Sequence, residues 1–478
     1  MILDRHSSVP LRVQVTDYII EKIRNGEWTV GTRLPSQRVL SEKLRVNRST
    51  VIVAFEELAA QGLVEGRRGG GTIVVNNTWG LMAKRETRGW ETYVESGQYK
   101  PNLPMIRKIN EAEFYPNIIR MGTGELSRDL LPSGGFADLF REVPPKLLSL
   151  GYQEPKGDLQ LREQISLHLK RIGITADPSS ILIVSGALQA LQLISNGLLD
   201  RGSALLLEKP SYLYSVHVFQ SSGMRFVSLP MDAEGLQPGK LADYKKKYHG
   251  TIVYTIPSFH NPTGILMTEK RRRQLLSVCE QERLPIIEDD VYRDLWLDAP
   301  PPSALKSMDQ SGNVLYIGSL SKVLSPGLRI GWIVGPQPVI DRLADIKMQS
   351  DYGSSSLSQW AAGEFLRTGL YERQVSFVRK QLKKRRDDLI DLLDTYFSDI
   401  GRWRIPQGGF YIWLNMIPTI DPRHLFEQAL KKGVLLNPGV LYDRSARQYL
   451  RLSYAYASQK EMEKAIRALR ELVIKSGK

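Results

Sequence analysis

One lysine and one arginine stand seven residues apart in YIGSLSKVLSPGLRIGW (316–332), where an apolar strand runs into a Ser/Ser/Lys cluster and then a Pro-Gly turn. A lysine past a strand end lies where α/β sheets bind ligands, outside the carboxyl ends of the strands. Lysine loses its charge readily when buried and condenses with aldehydes. An arginine beyond a tight turn can grip a phosphate with its planar fork. Lys322 and Arg329 thus suit a ligand that carries both an aldehyde and a phosphate. Such a ligand becomes an electron sink when a carboxylate keeps its ring nitrogen protonated, and IIEDDVY supplies Asp289 at another strand end, with Tyr292 three residues on. That chemistry points to pyridoxal 5′-phosphate.

Further segments supply the remaining contacts. SGALQAL (185–191) predicts a strand-to-helix turn whose backbone N–H groups cradle a phosphate. KPSYLYS places Tyr212 to stack on a ring, HNPTG offers Asn261 for a ring oxygen, and LRLSYAY offers Arg451 for a carboxylate. The elements that must position them alternate along the chain. SSILIVSG, ALLLEKP, GTIVYTIP, LPIIEDD and NVLYIGS read as short apolar strands between helical segments. This alternation predicts an α/β fold with a mainly parallel sheet covered by helices. The last ~80 residues, with GGFYIWLNM, YLRLSYAY and a terminal helix, read as a smaller α+β subdomain.

The N-terminal stretch has a different pattern. Leu11, Val15, Ile19 and Ile23 recur at helical spacing, up to Asn25-Gly26. LPSQRVLSEKL (34–44) predicts a helix capped by Ser36, with Val39, Leu40 and Leu44 inward. After a turn, Asn47 caps a second helix whose Val51, Phe55 and Leu58 form a buried stripe ending at Gly62. Two short helices joined by a tight turn suit insertion into a DNA major groove. LVEGRRGGGTIVV (63–75) adds a hairpin with a basic, glycine-rich tip. Arg48, Ser49 and Thr50 open the second helix, where side chains meet phosphates or base edges. The predicted organisation is a winged helix-turn-helix over 1–77, a linker over 78–117, and a large domain over 118–478.

Bulk properties narrow the setting. The chain has 478 residues, 42% hydrophobic and 24% charged, with one cysteine, Cys279. A single cysteine excludes an internal disulfide and a cysteine-based zinc site, no metal is expected, and a reducing compartment is implied. Met1–Pro10 lacks the apolar core of a signal peptide and no apolar run is long enough for a membrane span, so a cytoplasmic protein is expected. The formal charge is +14, yet residues 1–77 hold only 11 Lys and Arg against 8 Asp and Glu. Net charge therefore favours nucleic acid without locating the reader.

The string from Leu34 to Val74 closely resembles the winged helix of the GntR family of bacterial regulators. The resemblance implies that Ser36, Arg38, Asn47, Arg48, Ser49, Thr50, Arg67, Arg68 and Gly70 face double-stranded operator DNA. From about 120 to 475 the chain resembles the fold-type I aminotransferases. Carried over, Lys322 forms the internal aldimine, Asp289 pairs the pyridinium, and Asn261 and Tyr292 bond the ring hydroxyl oxygen. Ser185, Gly186, Ala187, Ser319 and Arg329 hold the phosphate, Tyr212 stacks, and Arg451 meets a carboxylate. Ala187 departs from the family's usual Ser or Thr. GYQEPKGDLQLR resembles the segment whose tyrosine, here Tyr152, reaches the neighbouring subunit's phosphate, which implies a dimer. No second arginine is assignable to a side-chain carboxylate, so a dicarboxylate substrate is unsupported. The joined halves resemble the MocR subfamily, which implies a domain-swapped homodimer that senses an amino compound or pyridoxal phosphate itself through the Lys322 aldimine. An active aminotransferase with an accessory DNA-binding domain is the alternative, since every group needed for transamination is present.

Overall fold

A computed structural model describes residues 3–5, 7, 9–24, 27–60, 62–67, 71–75, 102–143 and 151–476. The chain divides into two compact units, Met1–Gln98 and Tyr99–Lys478. In the first, helices α1 (Leu11–Arg24), α2 (Gln37–Leu44) and α3 (Arg48–Ala60) precede a hairpin of β1 (Val64–Arg67) and β2 (Gly71–Val74). Ser36 caps α2, its Oγ accepting from Val39 N at 3.3 Å, and Arg45 ends it in the left-handed region at φ 51°. Val51, Ala54, Phe55 and Leu58 bury one stripe of α3 against Val15, Ile19 and Leu40. Val39, expected inward, is 48% exposed. The helical period carries Leu40 and Ser41 into the core and leaves Val39 a turn's edge outside it. The antiparallel register runs from Val64 opposite Val74 to Arg67 opposite Gly71. The wing tip, with Arg68 and Gly70, lies outside the described residues, as does the Asn25-Gly26 helix end.

The second unit opens on a helix, α4 (Pro104–Ala112), inside the segment expected to be linker. Ile106, Ile109 and Ala112 fall on one face and pack with Phe426, Leu435, Leu441 and Tyr442. Pro104 fits a first helical turn, where no N–H is required. The short i, i+3, i+6 apolar set was masked in sequence by flanking polar residues.

Beyond it, β3 (Ile181–Val184) leads into α5 (Ala187–Gly197). Then come β4 (Ala204–Lys209), β5 (Arg225–Asp232), β6 (Gly235–Leu236), β7 (Gly250–Thr255), β8 (Ile286–Asp289), β9 (Val314–Ser319) and β10 (Gly331–Val334). These eight strands form one sheet in the order β3-β10-β9-β8-β7-β4-β5-β6. Strands β9, β8, β7, β4 and β5 are parallel neighbours, whereas β10 is antiparallel to both its neighbours. Both faces are covered, so the strands read as unbroken apolar runs. Leu205 and Leu207 enter one core cluster while Ala204 and Leu206 enter another, as the two-residue period requires. A second, antiparallel sheet contains β11 (Tyr411–Met416) and β12 (Tyr449–Ser453). It packs with a 28-residue helix, α6 (Leu370–Phe397), and the terminal α7 (Gln459–Ser476). This is the small α+β subdomain. Among the described residues no helix is long and apolar enough to cross a membrane.

The buried face of α4 has a direct consequence. Ile109→Ala should lower the stability of the large unit by about 2–5 kcal/mol, while Lys108→Ala on the exposed face stays within about 0.5 kcal/mol. Urea denaturation of the full chain checks the contrast, and equal effects would deny α4 a place in the core.

Candidate functional site

In the first unit, Asn47, Arg48 and Ser49 are exposed at the start of α3 and Thr50 is half-exposed. Thr50 N donates to Asn47 O at 3.0 Å, so the turn entering the helix is closed by backbone and leaves these side chains outward. Arg38 projects from α2 with a side chain 78% exposed, paired with Glu42 one turn on at 3.7 Å. The buried stripe of α3 lies on its other face, so one short helix serves both core and surface. Arg67 ends β1 beside the wing tip.

In the second unit, the ends of β3, β8 and β9 and the start of β10 meet at one edge of the sheet, because β10 runs against its neighbours. A cavity of about 390 Å³ opens there, lined by Ala187, Tyr212, Asn261, Asp289, Lys322 and Arg329 among others. Tyr292, Ser319 and Arg451 also line it. Lys322 Nζ donates to Gly124 O at 2.7 Å and lies 5.7 Å from the Tyr292 ring centroid.

Asp289 is the last residue of β8 and is 3% exposed. Its Oδ2 accepts from Tyr254 OH at 2.7 Å, while Oδ1 has no partner. Burial pushes its carboxyl up to about 6, against the hydrogen bond from Tyr254 and the charge of Lys322. A buried carboxylate oxygen without a donor suits a protonated ring nitrogen.

Gly186 turns the chain from β3 into α5 at φ 82°. A Cβ there would come 2.6 Å from Arg329 Nη2, so only glycine admits the guanidinium to the helix N-terminus. Arg329 donates to Ser185 O at 2.5 Å, which fixes its planar group beside that turn. Ser185 Oγ itself donates to Asp351 Oδ2 at 3.3 Å and its N–H to Gln189 Oε1 at 2.6 Å. Ser319 Oγ donates to Ile330 O and accepts from Ser321 N. The Ser321 hydroxyl, which sequence reasoning did not single out, lines the cavity with no partner.

Arg451 is 6% exposed on β12. It donates to Asn261 Oδ1 at 2.9 Å and Gly122 O at 2.6 Å, and stacks over Tyr411 and Tyr442. Its Nε has no partner, and among the described residues no carboxylate stands within ion-pair distance. With its oxygen engaged by Arg451, the Asn261 amide keeps its NH₂ free to donate. Tyr292 OH is 3.1 Å from Tyr411 OH. Tyr254 and Tyr411 were also missed, because nothing in their strands separates a site tyrosine from a core one. Tyr152 is not brought to this cavity: it is 84% exposed, edge-on to Tyr352 at 5.0 Å.

Residues 11–74 match the model of the bacterial regulatory proteins of the gntR family, and residues 148–469 that of aminotransferase class I and II. The HTH-type transcriptional regulator YisV of Bacillus subtilis is 54% identical over 98% of this chain and 96% of its own. NorG of Staphylococcus aureus, another HTH-type transcriptional regulator, is 33% identical over 91% of this chain and 98% of its own. The chain belongs to the MocR-type GntR regulators. Its large unit resembles Pyrococcus horikoshii kynurenine aminotransferase in complex with PMP, at 30% identity and TM-score 0.76, covering 82% of this chain and 99% of that one. LysN of Thermus thermophilus, complexed with N-(5′-phosphopyridoxyl)-L-leucine, follows at 29% and 0.71, over 78% and 95%. The orphaned Asp289 oxygen and the Gly186–Arg329 cradle in this regulator fit a pyridoxal phosphate.

The pH behaviour of Asp289 follows from its burial. Its folded pKa, about 6, stands above the ordinary 3.8, so its favourable contribution is full below the ordinary value and is lost as pH rises through the folded one. In cofactor-free protein, Asp289→Asn should therefore gain stability relative to wild type as pH climbs from about 4 to about 7, by a few kcal/mol, at about 1.4 kcal/mol per pKa unit. Denaturation of both proteins across that range checks it. A difference that does not change with pH would contradict the assignment.

Proposed function

We propose that this regulator binds operator DNA through α3 and the wing, and alters that binding when an amino compound occupies the cavity beside Lys322. The observation that carries the reading is the convergence of Lys322, Asp289 and Arg329 on one cavity in a chain that also presents Asn47, Arg48 and Ser49 exposed at the opening of a short helix. Pyridoxal phosphate is the cofactor, and it supplies an aldehyde that amines condense with and an electron-withdrawing ring. Lys322 Nζ holds it at the aldehyde, and Asp289 Oδ1 takes the ring N–H. The freed NH₂ of Asn261 and the Tyr292 hydroxyl hold the ring oxygen. Tyr212 covers the ring face. Backbone groups of Ser185, Gly186 and Ala187, with Ser319 and Arg329, grip the phosphate. Arg451 is left with an unpaired N–H for the carboxylate of an incoming amino compound.

In the DNA-binding unit, Arg48, Ser49 and Thr50 with Asn47 read the groove, and Ser36, Arg38, Arg67, Arg68 and Gly70 hold the flanking backbone. The regulator acts as a dimer, in which the exposed Tyr152 serves the phosphate of the neighbouring subunit. Two readers on one dimer match an operator with two half-sites.

An effector changes DNA affinity only by interacting differently with two states of the protein. Operator titration of the cofactor-loaded chain, with and without amino compounds, is the direct test. Unchanged DNA affinity across all compounds that perturb the cofactor's absorbance would overturn the sensing role and leave an enzyme.

Lys322→Ala should abolish covalent attachment: borohydride treatment followed by mass measurement should find cofactor on the wild-type chain only. Attachment to the mutant would move the role to another lysine. Arg48→Ala should weaken operator binding by roughly 1–3 kcal/mol, about one to two decades, without altering cofactor content. Unchanged affinity at moderate salt would count against α3 as the reader.

A further inference from the structure

A second cavity of about 450 Å³ adjoins the cofactor cavity. The two share Glu113, Leu188, Tyr212 and Arg451 as lining residues, so whatever Arg451 grips can extend from one into the other. Glu113 follows the last turn of α4, and Thr123 Oγ1 donates to its Oε1 at 2.8 Å. Thr123 and Glu125 line the cofactor side as well.

The charges around the two cavities can be assigned in turn. Their cations are Lys322, Arg329 and Arg451, with His217 as a further titratable base. On the reading above, the cofactor aldehyde takes Lys322, its phosphate takes Arg329, and the ligand's carboxylate takes Arg451. None of these cations remains for a second carboxylate. Of the anions, Asp289 is taken by the ring nitrogen, and Glu125 is paired with Arg120 at 3.2 Å. Glu113 remains: among the described residues no cation lies within ion-pair distance of it. Burial and the neighbouring Glu113 raise the Glu125 carboxyl above its ordinary range, against the charges of Arg120, Lys322 and Arg128, so two carboxyl groups stand close together on this wall. An independent sign of a ligand is Arg451 itself, 6% exposed with Nε unpartnered. The His217 Nδ1 atom in the second cavity is likewise buried without a partner.

We propose that the effector is an amino acid bearing a second, positively charged group, whose carboxylate meets Arg451 and whose distal cation is received by Glu113. This rests on the sensing role proposed above and names the class of compound sensed. It also gives a reason for the helix in the segment first read as linker: α4 delivers Glu113 to the wall, so contact with the effector bears directly on the element that opens the large unit. A dicarboxylic amino acid would set its distal charge against Glu113 and Glu125, a repulsion that a partly buried site screens poorly.

The test is titration of the full chain loaded with pyridoxal phosphate, followed by cofactor absorbance, using L-lysine, L-ornithine, L-norleucine and L-2-aminoadipate. The diamino acids should half-saturate at concentrations about 10-fold or more below norleucine, which has a similar apolar length without the charge, and 2-aminoadipate should be weakest. In Glu113→Gln the ratio between lysine and norleucine should collapse towards one. Wild-type selectivity alone can overturn the proposal: norleucine or 2-aminoadipate acting as well as lysine would do so, as would a Glu113→Gln protein that keeps the preference. Those outcomes leave the sensing role standing. Absence of any response to all four, and to other primary amines, would overturn that role and this proposal with it.

Discussion

A carboxylate held out of water at the end of a fully buried strand is the constraint around which the large unit is arranged. Asp289 ends β8 in the middle of an eight-stranded sheet, with covered strands on either side. Among the described residues only one of its oxygens has a hydrogen-bond partner, the Tyr254 hydroxyl on neighbouring β7. A lone buried anion is costly unless a cation or strong donor meets it. Lys322 stands near enough to favour the charged form but is tied to Gly124 O, which leaves the second oxygen unpaired among the described residues.

Arg451 poses the same problem with the opposite sign. It is buried between two tyrosine rings and held by neutral oxygens, without a counter-ion among the described residues. Neutral acceptors and ring faces stabilise a guanidinium in part, and a carboxylate arriving from solution would complete the set. The two incomplete groups come from different sheets, Asp289 from the large one and Arg451 from the small one. A ligand that satisfies both is held by both sheets, and a shift of one against the other changes its fit. Such a device suits sensing as well as turnover, because binding energy is tied to the relation between subdomains.

The DNA-binding unit separates core and surface on one short helix. Val51, Ala54, Phe55 and Leu58 point inward, while Arg48 and Ser49 open the helix on the outside. The helical period decides which residues of α3 enter that core and which stay outside it.

Local signals determined much of this in sequence. Apolar runs bounded by turn residues located β3, β4, β7, β8 and β9, and the 3.6-residue period located α1 to α3, since burial imposes its own spacing on a strand or a helix. Lys322, Asp289, Arg329 and Arg451 stood out because their types are unusual at the ends or within apolar strands. Other features depended on three-dimensional neighbours that sequence distance conceals. Val39 turned outward by a small rotation of α2, which the apolar pattern alone does not resolve. α4 looked like linker because its apolar face is three residues wide and its partners, Phe426 to Tyr442, lie some 300 residues away. Tyr254, Tyr411, Ser321 and Glu113 are ordinary in their own segments; register and packing alone bring Tyr411, Ser321 and Glu113 to the cavity and Tyr254 to Asp289. Only the tertiary structure decided which charges were already paired and which were left for a ligand, because pairing is a property of distance in space.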